Sequence, residues 1–160
     1  MYSFSIEAGL PKPDLYRQLR AAAEALTEGE KDAVANMANL AALIWQLVPD
    51  LNWAGFYRLV DGELVLGPFC GKPACIRIPL GQGVCGAAAA ERATQLVADV
   101  NAFAGHIACD AASRSELVVP VLRDHAVISV IDLDSPFPGR FDADDRSGIE
   151  ALAALVAARI

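Results

Sequence analysis

The chain has 160 residues, with 13 Lys+Arg against 20 Asp+Glu and a net charge of −7. At this length one domain is expected, able to bury a core without disulfide or metal staples. The acidic balance, with pI near 4.7, argues against a binder of nucleic-acid phosphates, which needs a basic face.

The first residues carry Glu7 and no base before Lys12. That pattern is not a signal peptide, so a cytoplasmic location with reduced thiols is expected. Leu15, Leu19, Ala22, Ala23 and Leu26 then form one apolar stripe after Pro13-Asp14, predicting a helix. Thr27 and Glu30 have capping-box spacing for a second helix. Val34, Met37, Leu40, Ala41, Ile44, Leu47 and Val48 are its apolar face, and Pro49-Asp50 ends it. Mean hydropathy is +0.34, but the longest uncharged stretch, Ala33–Pro49, includes Asn36, Asn39 and Gln46. It is short and polar for a membrane span, which needs about 20 apolar residues.

Short strands follow. Leu51–Val60 and Glu63–Phe69 flank Asp61-Gly62, a strong hairpin signal. Cys75–Leu80 alternates Ile76, Ile78 and Leu80 with Arg77 and Pro79, a half-buried strand pattern. Gly83–Arg92 reads as a short helix and Thr94–Val100 as an extended segment. Leu117–Leu122 and Ala126–Leu133 form a second predicted hairpin around Arg123-Asp124-His125. Asp142 is placed to N-cap a last helix, with Ile149, Leu152, Leu155, Val156 and Ile160 as its stripe. Hairpins bracketed by helices predict an α+β fold, an antiparallel sheet with N- and C-terminal helices packed on it. One domain spanning 1–160 is expected: helices over 1–49, sheet and loops over 50–141, and a C-terminal helix over 142–160.

Gly81-Gln82-Gly83-Val84-Cys85-Gly86 matches GxGxxG, yet the preceding strand alternates and the following helix is short. Neither suits a nucleotide-binding βαβ unit, and the glycines are expected to allow close backbone packing. His106 and Cys109 lack partners at zinc-ligand spacing, so no metal is expected. Cys70 reads as a small core residue. Cys75 and Cys109 stand in glycine-flanked loop segments, as accessible thiol chemistry requires, with Lys72 and His106 as candidates to hold a thiolate. Asp132 and Asp134 lie two apart on one strand face, beside the start of the partner strand at Glu116. Crowded carboxylates repel, so at least one should hold its proton. That leaves a general acid, an ammonium site, or a solvated strand end.

Six blocks resemble the free methionine-(R)-sulfoxide reductases, enzymes built on a GAF domain. They are Asn52–Tyr57, Leu66–Phe69, Gly71–Pro79, Gly83–Gly86, Gly105–Asp110 and Ile131–Pro136. The resemblance implies a GAF-like domain that reduces free L-methionine (R)-S-oxide. It implies Cys109 as the nucleophile, Cys75 as the resolving cysteine, and Cys85 as a third family cysteine. Glu116, Asp132 and Asp134 would line the substrate pocket, Glu116 or Asp134 supplying a proton, with Trp53 and Tyr57 as its aromatic wall. It further implies recycling by thioredoxin without a bound cofactor, and a homodimer. The competing expectation is a non-enzymatic GAF-type sensor of a small metabolite.

Overall fold

The computed structural model describes residues 9–105 and 110–160. Two helices open it, α1 over Lys12–Leu26 and α2 over Ala33–Leu47. The predicted capping box is corrected: Thr27 closes α1, its hydroxyl donating to the Ala23 carbonyl at 2.9 Å. Gly29, at φ +75°, turns the chain, and the Glu30 carboxylate accepts from the Lys31 and Asp32 amides. The N-cap of α2 is therefore Asp32, whose side chain accepts from Ala35 N at 2.8 Å. Val34, in the first turn of α2, is exposed rather than part of the buried stripe.

The strands are β1 Trp53–Val60, β2 Glu63–Gly71 and β3 Arg77–Pro79, then, after helix α3 over Gly83–Glu91, β4 Gln95–Val97, β5 Ser115–Arg123 and β6 Ala126–Ser135. They form one six-stranded sheet of order β3-β2-β1-β6-β5-β4, antiparallel at every pairing. Both hairpins turn through two residues at positive φ, Asp61-Gly62 and Asp124-His125, the backbone hand that matches strand twist. Two expected strands are shorter than their patterns. Only Ile78 of the Ile76/Ile78/Leu80 alternation is buried, because β3 pairs over three residues at the sheet edge. The segment after β4 becomes a 3₁₀ turn at Val100–Ala102. Helix α4, Ala143–Val156, begins with the expected Asp142 cap, which forms a capping box with Asp145.

Because strand side chains alternate between faces, the sheet has a core on each side. Helices α1, α2 and α4 pack on the face that presents Ala54, Phe56, Leu117, Val119, Ile131 and Leu133. The other face presents Trp53, Tyr57, Val118 and Val130, covered by Val84, Cys85, Ala88 and Ala89 of α3. This α3 face holds the site. Among the described residues no helix is long and apolar enough to cross a membrane.

Candidate active site

Strand register assembles the site. Trp53 of β1 pairs with Asp134 of β6, and Asp134 with Glu116 of β5. Asp132 lies in the next row on the same face, between Gly55 and Val118. Since α3 lies over this face, the carboxyls are covered rather than fully solvated: Glu116 is 7% exposed and Asp132 6%, and Asp134 is half-buried. The pocket they share is also lined by Trp53, Tyr57, Lys72, Cys85, Asp110 and Ser113. The expectation of a carboxyl cluster is met, and the solvated strand end is not.

The aromatic wall depends on a missing side chain. Gly55 sits between Trp53 and Tyr57 on their face, and a Cβ there would strike Phe69 and the Trp53 ring. With Gly55 the Trp53 ring stacks on Phe69 at 5.2 Å and lies 5.8 Å from the Tyr57 ring.

The electrostatics follow from burial. Desolvation, then the charges of Asp132 and Asp134, holds the Glu116 carboxyl well above the usual range. Desolvation and the charges of Asp132 and Asp110 do the same for Asp134. Asp132 is pushed by burial to about 7, against a hydrogen bond from the Cys85 thiol that favours its charged form. Cys85 is in turn driven well upward by burial and by Asp132 and Glu116, so it is a neutral S–H donor. Among the described residues, one oxygen of Asp132, Oδ1, is buried with no hydrogen-bond partner. A buried acceptor left unanswered is costly and marks where a donor on a ligand would go.

Cys85, Glu116 and Asp132 place ligand atoms within 4.8 Å of one another. A protonated thiol is a poor metal ligand. In this charge state the grouping suits an organic cation or hydrogen-bond donor better than a metal.

Of the cysteines, Cys75 is half-buried and disulfide-bonded, whereas Cys70 and Cys85 are free thiols. Cys70 pairs with Ala54 and so belongs to the three-helix face, away from the pocket. Cys109 and His106 lie outside the described residues. Lys72, a candidate to hold a thiolate, has its ammonium 3.1 Å from the Asp110 carboxylate. Asp110 also caps Ala112 N at 2.9 Å and accepts from Asn52 Nδ2 at 3.3 Å, and Asn52 Nδ2 donates to Ser113 Oγ at 3.0 Å. Sequence reasoning missed Asp110 and Ser113 as pocket residues, and Asn52 as the side chain that hydrogen-bonds to both. Asn52 and Asp110 each end or begin a block that also carries a site residue, which was the available signal. The expected close packing in the GxGxxG segment holds at Gly86, where a Cβ would strike the Pro79 carbonyl, but not at Gly81, which has open space and a φ of +82°.

Residues 34–160 match the GAF domain family. The chain is 49% identical to the free methionine-R-sulfoxide reductase of Escherichia coli over 143 residues, 89% of this chain and 87% of that one. Among solved structures it is similar to the free methionine-R-sulfoxide reductase of Neisseria meningitidis in complex with its substrate. The TM-score there is 0.95 and the identity 42%, over 99% of this chain and 95% of that one. It is also similar to a putative GAF sensor protein from Burkholderia vietnamiensis, with TM-score 0.91 and 54% identity over 94% and 96% of the chains. With register, pocket and similarity in agreement, the chain belongs to the free methionine-R-sulfoxide reductase family of GAF-domain proteins.

Proposed function

We propose that this protein reduces free L-methionine (R)-S-oxide to L-methionine with a cysteine thiolate and a recyclable disulfide. The observation that carries the reading is the carboxyl cluster of Glu116, Asp132 and Asp134 beside the Trp53 ring, with Asp132 Oδ1 unanswered among the described residues. A sulfoxide oxygen leaves sulfur only when protonated, and carboxyls raised by burial hold a proton at neutral pH to give. Cys109 attacks as thiolate. Its sulfur gains the oxygen, Glu116 or Asp134 supplies one proton, and methionine departs with the electron pair on its sulfur. The products are Cys109 sulfenic acid and the thioether. Trp53 and Tyr57 would pack against the thioether carbons, and a carboxylate of the cluster against the free α-ammonium, which a residue inside a polypeptide lacks.

Cys75 then condenses with the sulfenic acid, losing water and closing a disulfide. A dithiol reductant of the thioredoxin type reopens it, and no bound cofactor is required. Cys85, as a neutral thiol donating to Asp132, orients that carboxylate. Cytoplasmic location, a homodimer and one domain over 1–160 complete the proposal.

The test is NADPH consumption coupled through thioredoxin, with each epimer of free methionine sulfoxide. Only the R epimer should be consumed. Neither epimer being consumed, with tight binding of another small molecule, would leave a sensor instead. Cys109→Ser should abolish turnover, and near wild-type rates in that variant overturn the nucleophile. Cys75→Ser should give one methionine per protein and a trapped sulfenic acid, with thioredoxin-supported cycling lost.

A further inference from the structure

The loop that carries Cys75 leaves β2 at Gly71 and enters β3 at Arg77. Two side chains of β1 reach up to hold its backbone. Trp53 Nε1 donates to the Lys72 carbonyl at 3.1 Å, and the Tyr57 hydroxyl donates to the carbonyl of Cys75 itself at 3.0 Å. Both rings lie on the pocket face and are nearly fully buried, Tyr57 at 1% exposure. Both rings line the pocket while their polar tips fasten the loop. Tyr57 is a dependable donor, since burial and the neighbouring acids keep its hydroxyl protonated.

We infer that Tyr57 is a positioning residue for the resolving step, fixing the Cys75 backbone so that its thiol meets the oxidised nucleophile. This rests on the proposed reductase function and adds to it a division of labour within one side chain: the ring bounds the substrate, and the hydroxyl aims the resolver. The step is self-contained. The Cys75 sulfur bonds to the sulfenic sulfur, the S–O bond breaks, and hydroxyl and thiol proton leave as water, so no external oxidant is needed. Closing a disulfide demands close approach and a specific dihedral, so a loop freed at its cysteine carbonyl should close more slowly.

The experiment uses Tyr57→Phe in the full-length chain, which keeps the ring and its stack on Trp53. In a single turnover with free methionine (R)-sulfoxide, the rates of methionine release and of disulfide closure are measured separately. Sulfenic acid is followed by a dimedone trap. The ratio of closure to release should fall about tenfold, the loss of one well-placed hydrogen bond, and trapped sulfenic acid should rise. A residue that only bounded substrate would slow release and leave the ratio unchanged. Trp53→Phe removes the other anchor and should shift the ratio in the same direction. A wild-type ratio in Tyr57→Phe overturns the inference, whatever Trp53→Phe does. Failure of the wild-type protein to form methionine would instead overturn the proposed function, so the two failures are distinguishable.

Discussion

At the scale of single residues, the site is expensive to maintain. Glu116 and Asp134 are held well above the usual carboxyl range and Asp132 is near 7, first because they are buried and then because they face each other. The native state therefore binds more protons than the unfolded chain over the pH range between the ordinary carboxyl value and these raised ones. Their contribution to stability is intact below the unfolded pKa and is lost as pH rises through the folded ones. Stability in urea should accordingly fall between pH 5 and pH 8 on their account. Replacing Glu116 with Gln should flatten that fall and raise stability at pH 8 relative to the wild type, while cutting turnover about 100-fold or more. Equal pH slopes for wild type and variant would contradict the assignment.

At the scale of elements, α3 is what turns a strand surface into a pocket. Its N-terminal residues Val84 and Cys85 line the site, and it closes down on the turn after β3 because Gly86 has no side chain. Gly81 N donates to Gly86 O at 2.8 Å across the same contact. A Cβ at Gly86 would meet the Pro79 carbonyl, which is backbone and cannot rotate away. Gly86→Ala should destabilise the protein by about 1–3 kcal/mol, the usual cost of overpacking. It should also weaken substrate binding, as KM from the coupled assay reports, because Cys85 is moved with the helix. The hairpins and the α4 cap were legible locally, as Asp61-Gly62 and Asp142 illustrate. The entry to α2 was not: Thr27 has the right spacing for a cap, but its hydroxyl is taken by the turn behind it.

At the scale of the whole molecule, the terminal helices are fastened by one buried carboxylate remote from the pocket. Asp145 has no exposed side-chain surface and receives Lys12 Nζ at 2.5 Å, Arg140 Nη1 at 3.1 Å and the Tyr16 hydroxyl at 2.7 Å. It also accepts from the Asp142 amide at 2.8 Å, so α1 and the start of α4 share one anchor. Asp145→Asn leaves two cations beside a neutral group. It should cost about 3 kcal/mol, lowering Tm by about 6–12 °C, as calorimetry would measure. Single-turnover chemistry should persist at temperatures where the variant is folded. Nothing in the periodicity of α1 singled out Tyr16, because its value lies in a partner on the last helix.

The features legible in the chain are local or carried in blocks. The helix stripes, the two-residue turns, the Asp132/Asp134 spacing beside Glu116, and the family blocks were all readable because each depends on residues near in sequence or paired by a hairpin. Only the packed fold set Trp53 against Asp134, laid α3 over that face, and anchored the Cys75 loop by Trp53 and Tyr57. The physical reason is that burial raises the carboxyls, and burial is set by elements distant in the chain. A sequence states which groups are acidic; only packing decides which of them keep their protons.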